Sequence, residues 1–420
     1  MRIDRLLGGA CGAMLLSLAA QAADWPEWRG PQRNAVSTET GLLKEWPKDG
    51  PRLIWQAKDI GDGYATPSVA GDRVYVLSNR GTDNEFAEAL STEDGKQVWA
   101  TRLGKVGNPD QMPSFPAARS TPTVDGGLLY ALGSDGDLVC LESASGAIRW
   151  RKSLRADFGG APGKSGYTES PLVDGDAVVV TPGGGQATIV ALKKKTGETI
   201  WRSAVPGGDD AAFASAIVVE AGGRRQYVQF LAKGLVGVDA KTGEFLWRYG
   251  ATGKGNTNIP TPVASSGYIY TTESHGPGGL IRLTGAGRGL TAEQVYLLRG
   301  LPCSIGGSVV IGATHYGTTG EGLVAADWAT GKVLWQEAGT GEGAILGAED
   351  RLYIHGENGD VMLVEATREA YRQKGRFMPP GRPKGTRGAQ EKAWTYPVIA
   401  GGRLYIRELG SLWCYDISAR

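Results

Sequence analysis

Lys241-Thr-Gly-Glu-Phe-Leu-Trp247 is one copy of a pattern that returns along the chain. In every copy a glycine follows Asp, Ser or Thr, and a tryptophan stands four residues later. Five copies share this spacing: Gly95 to Trp99, Gly146 to Trp150, Gly197 to Trp201, Gly243 to Trp247 and Gly331 to Trp335. The glycine supplies the positive φ of a tight turn, and the run after it is typical of a returning strand. Each copy therefore predicts a β-hairpin.

A second pattern, upstream of the hairpins, predicts two more strands per unit. A proline is followed by a Gly-containing turn and by an aromatic or apolar residue eight positions on. The pairs are Pro67 with Tyr75, Pro122 with Tyr130, Pro171 with Val179, Pro262 with Tyr270 and Pro397 with Tyr405. The two patterns together give a four-stranded unit that repeats every 40 to 50 residues or so, which is the period of propeller blades.

The number of units and the two chain ends predict how the ring closes. Eight first strands are expected near Tyr64, Arg119, Thr168, Ala214, Ile259, Ile305, Glu342 and Trp394. The last unit ends after its third strand at Tyr415, whereas Arg52 to Trp55 forms a lone strand with no blade before it. Pairing these ends would remove the open edges. The predicted fold is all-β, an eight-bladed β-propeller of four-stranded antiparallel blades closed by an N-terminal strand.

The chain divides into three predicted segments. Residues 1–22 have the apolar run and the small-x-small ending, Ala20-Gln-Ala22, of a secretory signal peptide, so cleavage is expected after Ala22. Lipidation at Cys11 is disfavoured because the apolar stretch before it is too short. Residues 23–50 form an N-terminal arm, predicted to pack against the outside of the ring, although its tryptophans could instead be a recognition motif. Residues 51–420 form one propeller domain.

Composition excludes several classes of protein. Forty-five basic and forty-four acidic residues leave a net charge of +1, which does not support a nucleic-acid partner. No segment of the mature chain is apolar enough for a membrane span, so we expect a periplasmic or secreted monomer. Three cysteines remain after cleavage, and they lie in different blades: Cys140, Cys303 and Cys414. They are expected to be isolated buried thiols.

The repeats, the proline-led first strands and the opening Trp25-Pro-Glu-Trp-Arg-Gly-Pro31 resemble the secreted bacterial pyrroloquinoline-quinone-like (PQQ-like) β-propeller repeat proteins. The resemblance covers nearly all of the mature chain and implies eight blades. That superfamily includes quinoprotein alcohol dehydrogenases and non-enzymatic scaffolds similar to the propeller lipoprotein of the outer-membrane β-barrel assembly machinery. We predict a binding or scaffold module, which could serve cell-envelope protein assembly, with an unidentified protein or small ligand as its partner.

The alternative is a PQQ-dependent alcohol dehydrogenase. The resemblance implies that such an enzyme would stack its quinone against a disulfide of adjacent cysteines and hold calcium with carboxylate and amide groups. This sequence contains neither a Cys-Cys pair nor a Cys-x-x-Cys-His haem motif. We therefore expect no catalytic residues and no cofactor, with PQQ and calcium only under the alternative.

The three histidines are spaced by forty residues, which raises the possibility of a metal site. Relative to the second-strand tyrosines, however, His275, His315 and His355 stand at different positions. Zinc needs its ligand nitrogens about 2 Å from one ion. Because side chains at different heights are not expected to converge this closely, the sequence predicts no metal site.

Charged residues near the first strands give the candidate binding site. Neighbouring positions are mostly small, and a charge beside a narrow channel costs free energy unless it is paired or hydrated. One interpretation is a structural ion pair between Arg119 and Glu169 of adjacent blades. The other is a polar mouth for a small ligand or peptide, framed by the long loops at residues 103–119, 154–168 and 372–394. The candidate binding residues are Arg119, Tyr167, Glu169, Asn258, Glu342 and Trp394.

Overall fold

The computed structural model describes residues 23–111, 115–255, 257–383 and 392–419, so the predicted signal peptide and its cleavage site lie outside the described residues. The strands form eight separate sheets, each with four strands in antiparallel order, and one sheet carries a fifth strand. No helix in these ranges has the length and apolar character to cross a membrane. The predicted eight-bladed propeller is confirmed.

Two strands precede the first blade: β1 (Val36–Ser37) in the arm and β2 (Arg52–Ala57). Blades 1 to 4 then follow in chain order. Blade 1 contains β3 (Ser68–Ala70), β4 (Arg73–Arg80), β5 (Asn84–Ser91) and β6 (Gln97–Lys105), and blade 2 contains β7 (Thr123–Asp125), β8 (Leu128–Leu132), β9 (Asp137–Glu142) and β10 (Ile148–Ser153). Blade 3 contains β11 (Leu172–Asp174), β12 (Ala177–Val180), β13 (Ile189–Lys193) and β14 (Thr199–Ser203), and blade 4 contains β15 (Ile217–Ala221), β16 (Arg224–Leu231), β17 (Gly234–Asp239) and β18 (Phe245–Tyr249).

Blades 5 to 8 continue the same order. Blade 5 contains β19 (Val263–Ser265), β20 (Tyr268–Thr272), β21 (Gly278–Thr284) and β22 (Thr291–Leu298), and blade 6 contains β23 (Ser308–Ile311), β24 (Thr314–Thr319), β25 (Gly322–Asp327) and β26 (Val333–Glu337). Blade 7 contains β27 (Gly343–Ala348), β28 (Arg351–Gly356), β29 (Val361–Glu365) and β30 (Gln373–Phe377), and blade 8 contains β31 (Val398–Ala400), β32 (Arg403–Glu408) and β33 (Ser411–Asp416). Each first strand begins within a few residues of its predicted start.

Short helices occupy the connections. One α-helix, α1 (Leu154–Phe158), follows β10, capped by the Ser153 side chain and ended by Gly159 at φ 66°. Three 3₁₀ turns are formed by Pro109–Gln111, Gly287–Gly289 and Ala338–Thr340. None of them interrupts a blade.

The ring closes as predicted. Strand β2 pairs antiparallel with β33, from Arg52 opposite Asp416 to Ala57 opposite Leu412. It supplies the fourth strand of blade 8 from the beginning of the chain. Because β2 continues directly into blade 1, the ring opens at this seam only if β2 separates from β33.

Tryptophans of the Gly-x-x-x-Trp repeat lock blades to their neighbours, except Trp247, whose indole N–H donates to Gln226 within blade 4. The Trp99 indole N–H donates to the carbonyl oxygen of Ser143 in blade 2 at 3.0 Å. Its ring covers Gly146, where an added Cβ would lie 2.6 Å from the indole, and Gly146 has φ 73°. Only glycine fits both the turn and the tryptophan. The same arrangement recurs for Trp55 on Gly95, Trp150 on Gly197 and Trp201 on Gly243.

Residues 25–39 of the N-terminal arm lie across the channel, and for them the prediction that the arm packs outside the ring was wrong. Farther along the arm, the Trp46 backbone N–H donates to the Lys374 carbonyl oxygen and its ring meets Phe377 on β30, the outer strand of blade 7, so this part does lie on the outside. Backbone groups of residues 25–39 and the side chains of Trp28, Arg29, Arg33 and Glu39 hydrogen-bond to every blade. The partners, from blade 1 to blade 8, are Val69, Val124, Pro171, Ala216, Thr261, Ser308, Gly347 and Gly402. We call residues 25–39 the hub. It packs at the centre because its donors and acceptors meet backbone C=O and N–H groups at the first strands of the blades.

Arg33 makes the densest set of hub contacts. Its guanidinium donates to the carbonyl oxygens of Ala216 at 2.6 Å and Pro171 at 2.7 Å, and to Glu27 at 2.7 Å. Arg29 donates to the Ser308 carbonyl at 2.5 Å. Both arginine residues are buried. The hub is therefore part of the protein core.

Candidate functional site

The hub closes one end of the central channel. Asp24 and Glu39, next to and within the hub, accept from the backbone N–H groups of Gly71 and Gly402, at 3.0 and 2.7 Å. Both glycines lie in turns between a first and a second strand. Such turns face away from the loops that link one blade to the next, because strands alternate in direction. The channel is thus covered on the turn side and opens on the inter-blade loop side.

A cavity of about 390 Å³ lies at this open end, and we call it the funnel. Its size falls within the range of small-molecule pockets, roughly 300–1,000 Å³. The hub residue Trp28 contributes to its lining. The lining residues are Trp28, Tyr64, Gln111, Phe115, Arg119, Ser165, Thr168, Ser170, Phe213, Ser215, Ile259, Ile305, Trp394 and Tyr396.

Aromatic side chains dominate the wall. Trp394 lies against Tyr64, with ring centroids 4.8 Å apart, and runs parallel to Phe115 at 6.2 Å. The Trp394 indole N–H donates to a carboxylate oxygen of Glu357 at 2.7 Å, which holds its orientation. On the hub side Trp28 meets Tyr396 edge-on at 4.7 Å. These contacts give the funnel a preformed apolar surface.

Arg119 supplies the only charged side chain among the described lining residues. Its guanidinium carbon lies 6.0 Å from the ring centre of Tyr64 and 5.8 Å from that of Phe213. One nitrogen donates to the Ser165 carbonyl oxygen at 3.3 Å. Burial lowers the pKa of Arg119 to about 10, partly offset by attraction to Tyr64 and Glu85. The side chain therefore stays cationic at neutral pH.

The predicted ion pair between Arg119 and Glu169 is not formed among the described residues. Glu169 is buried and accepts from the Thr181 backbone N–H and from the Gln229 amide at 3.1 Å. Burial raises the pKa of Glu169 to about 7. Adjacent residues of an extended chain point to opposite sides. Thr168 and Ser170 accordingly line the funnel, while Glu169 points between blades 3 and 4.

Two other candidate residues are buried in structural hydrogen bonds. The Tyr167 hydroxyl donates to the Pro182 carbonyl oxygen at 2.9 Å. The Asn258 amide donates to the Leu231 carbonyl oxygen at 2.7 Å. Neither residue lines the funnel, and each is at most 1% exposed. They hold loops around the site rather than facing a ligand.

Glu342 lies on a separate surface pocket near the funnel. Its carboxylate is 3.0 Å from the Nε2 atom of His275, and the pocket also includes Glu357 and Lys392. Glu357 joins the two sites, because it binds both Lys392 at 2.8 Å and the Trp394 indole. Of the six candidates, the structure therefore brings only Arg119 and Trp394 together.

The three histidines occupy unrelated environments. His275 faces Glu342 on the surface, whereas His355 is buried with its Nδ1 atom 2.9 Å from the Thr395 carbonyl oxygen. His315 packs edge-on against Tyr270, and burial lowers its pKa to about 3. The described residues contain no group of three or more His, Cys, Asp or Glu side chains arranged for a metal ion. Cys140, Cys303 and Cys414 are buried free thiols, as predicted.

Sequence reasoning missed most of the funnel wall. Trp28, Phe115, Phe213 and Tyr396 line the funnel but were not candidates. The signal for Trp28 was present, since a tryptophan-rich segment beside a repeat domain can be a recognition motif. Tyr396 directly precedes the first-strand Pro397, where other blades carry Ser or Thr. A large aromatic residue at that channel-facing position was the second available signal.

Comparison with known proteins assigns the family. The profile described as outer membrane protein assembly factor BamB matches residues 30–109 and 83–337, which together exceed half of the chain. The chain belongs to the BamB family. A BamB from Salmonella typhimurium is 27% identical over 139 residues, 33% of this chain and 31% of that protein. A Burkholderia pseudomallei BamB is 26% identical over 229 residues, 47% and 55% of the two chains.

The chain thus spans between about a third and just over half of these BamB relatives. A tetrathionate hydrolase from Acidithiobacillus ferrooxidans is also similar, with 26% identity over 227 residues, 51% of this chain and 40% of that enzyme. Sequence similarity therefore extends from the BamB family to an enzyme. The repeat itself does not separate a scaffold from a catalyst.

Two solved structures share the fold. BamB from Moraxella catarrhalis superposes with a TM-score of 0.61 at 16% identity, covering 88% of this chain and 98% of that one. Quinohemoprotein alcohol dehydrogenase ADHIIG from Pseudomonas putida superposes with a TM-score of 0.56 at 14% identity, covering 94% of this chain and 80% of that one. Identities this low show a common architecture only.

The funnel does not fit the quinone and calcium of the dehydrogenases. The described residues lining it include no aspartate or glutamate. Calcium takes six to eight oxygen ligands, usually with carboxylates among them. The sequence also lacks the adjacent cysteines that the dehydrogenase alternative needs.

Proposed function

We propose that this protein is a periplasmic scaffold for outer-membrane protein assembly and that it binds a protein of the assembly machinery on its inter-blade loop face. Membership of the BamB family supports the role. The predicted signal peptide supports the compartment. The near-neutral charge suits a partner recognised by shape and apolar contact rather than by a strong field.

The observation that carries the proposed face is the one-sided closure of the channel. The hub fills the turn side, so the funnel offers its concave aromatic surface only on the loop side. Tryptophan, tyrosine and arginine are the residues that most often dominate binding energy at protein interfaces. Trp394, Tyr64 and Arg119 meet there. A rigid ring presents them without a large entropic cost.

Deletion of this gene from its source bacterium tests the role. We expect lower amounts of folded outer-membrane proteins, because a lost assembly scaffold slows their insertion. Heat-modifiable migration on gels measures the folded fraction for each abundant outer-membrane protein. Unchanged folded fractions in the deletion strain would remove the basis for the assembly role.

Complementation adds the matched control. Wild-type protein and an Arg225→Ala variant should both restore the folded fraction, because the Arg225 side chain is half-exposed beside the first turn of blade 4, on the side away from the funnel, and pairs with Asp174. The double variant Arg119→Ala with Trp394→Ala should restore it poorly while accumulating to the same level. Full restoration by the double variant would leave the role intact and move the binding face elsewhere.

A further inference from the structure

We propose that the funnel binds a carboxylate carried on a flat apolar body, with Arg119 holding the carboxylate and the aromatic wall holding the body. This site goes beyond the proposed assembly role and does not depend on it. The proposal rests on three observations: a half-enclosed cavity, one cationic side chain inside it and a wall of aromatic rings. Each points to a different part of the ligand.

The cation points to an anion. A guanidinium has five N–H donors, and for Arg119 the one hydrogen bond among the described residues goes to the Ser165 carbonyl oxygen. No described carboxylate lies within ion-pair distance of it. Tyr64 and Phe213 contact its faces but accept none of its in-plane N–H groups. A partly buried cation with open donors is stabilised by a bound anion.

The geometry of the cation narrows the anion to a carboxylate. The planar fork of a guanidinium matches the two oxygens of a carboxylate through parallel hydrogen bonds. A phosphate carries up to two charges, and the described lining residues provide a single cation. One carboxylate balances that charge without leaving a buried excess.

The wall points to the body. Among the described residues, six aromatic side chains line the funnel: Trp28, Tyr64, Phe115, Phe213, Trp394 and Tyr396. Aromatic rings favour offset-stacked or edge-on contact with another ring, which adds to the gain from area burial. The volume of about 390 Å³ accommodates a compact bicyclic molecule or one large terminal side chain. A flat ring system beside the carboxylate therefore fits best.

The same chemistry has two natural sources. One is a free aromatic acid. The other is the C-terminal carboxylate of a polypeptide that ends in an aromatic residue. Both present a carboxylate within a few bonds of a ring, so the funnel alone does not separate them, and the experiment has an arm for each.

Isothermal titration calorimetry on the mature wild-type protein tests the site. The first arm compares 2-naphthoate with 2-naphthamide, and the second compares a hexapeptide ending in phenylalanine as free acid and as amide. We expect saturable binding of an acid in at least one arm, with the matching amide about tenfold weaker, because it loses the charge-assisted pair. Binding in the first arm alone identifies a free acid as the source; binding in the second alone identifies a chain terminus.

Variants separate the carboxylate from the body. Arg119→Gln should weaken the acid about tenfold and leave the amide unchanged, which also shows that the funnel remains folded. Trp394→Ala should weaken both. Arg155→Gln is the matched control, because this half-exposed arginine pairs with Asp135 outside the funnel, and acid binding should be unchanged.

Three results would overturn the proposal. The first is that neither acid binds, that is, no saturable binding of 2-naphthoate and none of the free-acid peptide. The second is equal affinity for acid and amide. The third is undiminished acid binding by an Arg119→Gln protein that still binds the amide.

Discussion

A chain that begins at Gly61 should lose far more stability than its missing length suggests. It lacks the hub and β2, so the hydrogen bonds between the hub and the blades are lost, and blade 8 keeps three strands and exposes the edge of β33. Trp55 also disappears, and truncating a large buried aromatic side chain typically costs about 3–5 kcal/mol. The free energy of unfolding should therefore fall by more than that amount, and the open edge should promote aggregation.

Trp55 is important because it joins the two ends of the ring. Its indole N–H donates to the Thr92 carbonyl oxygen of blade 1 at 2.8 Å, and its ring covers Gly95. The other tryptophan locks connect blades that are already consecutive. Trp55 likewise joins an outer strand to the blade that follows it along the chain, but this outer strand, β2, also pairs with β33 of blade 8, so Trp55 holds the closing strand against blade 1.

Urea unfolding of two truncated chains measures the effect. A chain that begins at Pro51 retains β2 but lacks the hub, whereas the chain that begins at Gly61 lacks both. The comparison therefore uses conditions in which the hub-less Pro51 chain shows a cooperative unfolding transition. The difference between them isolates the closing strand. Equal midpoints for these two chains would refute closure by β2.

Arg33→Ala is the second change with a large expected effect. It removes hydrogen bonds to carbonyl oxygens of blades 3 and 4 and strands the Glu27 carboxylate, to which Arg33 is paired at 2.7 Å. Breaking a buried ion pair by removing one partner costs about 3–5 kcal/mol. We expect a loss of that size in the free energy of unfolding.

Two variants make this measurement specific. Arg33→Lys should recover only part of the loss, because an ammonium group does not present the planar fork that reaches several carbonyls at once. Arg52→Ala breaks an exposed pair with Asp416 and should cost at most about 1 kcal/mol. An Arg33→Ala protein no less stable than Arg52→Ala would show that the hub is not part of the core.

The blades and their closure could be predicted because each depends on local pattern. Gly146 and Trp150 lie four residues apart, and their repetition reveals both the turn and the period. The repeat did not show that the Trp150 ring packs on Gly197 of the next blade. That contact joins residues far apart in sequence and becomes visible only in the folded ring.

The arm and most of the site could not be predicted for the same physical reason. Arg33 binds backbone carbonyls, which have no sequence signature, so the pattern gave no reason to place it in the channel. Glu169 was paired with Arg119 because both stand near first strands, but the alternation of an extended chain turns Glu169 away. Arg119 and Trp394 were found because a charge and a large ring contrast with small neighbours.

Site-specific photo-crosslinking in the source bacterium tests the central claim, that the open funnel face is the working face. A photoreactive residue is placed at Gln111 or Lys164 beside the funnel, and at Asp72 or Asp350 on the opposite, hub-covered face. The account predicts adducts with a subunit of the outer-membrane protein assembly machinery from the first two positions alone, identified by mass spectrometry. Adducts with that machinery from Asp72 or Asp350, and none from Gln111 or Lys164, would contradict it.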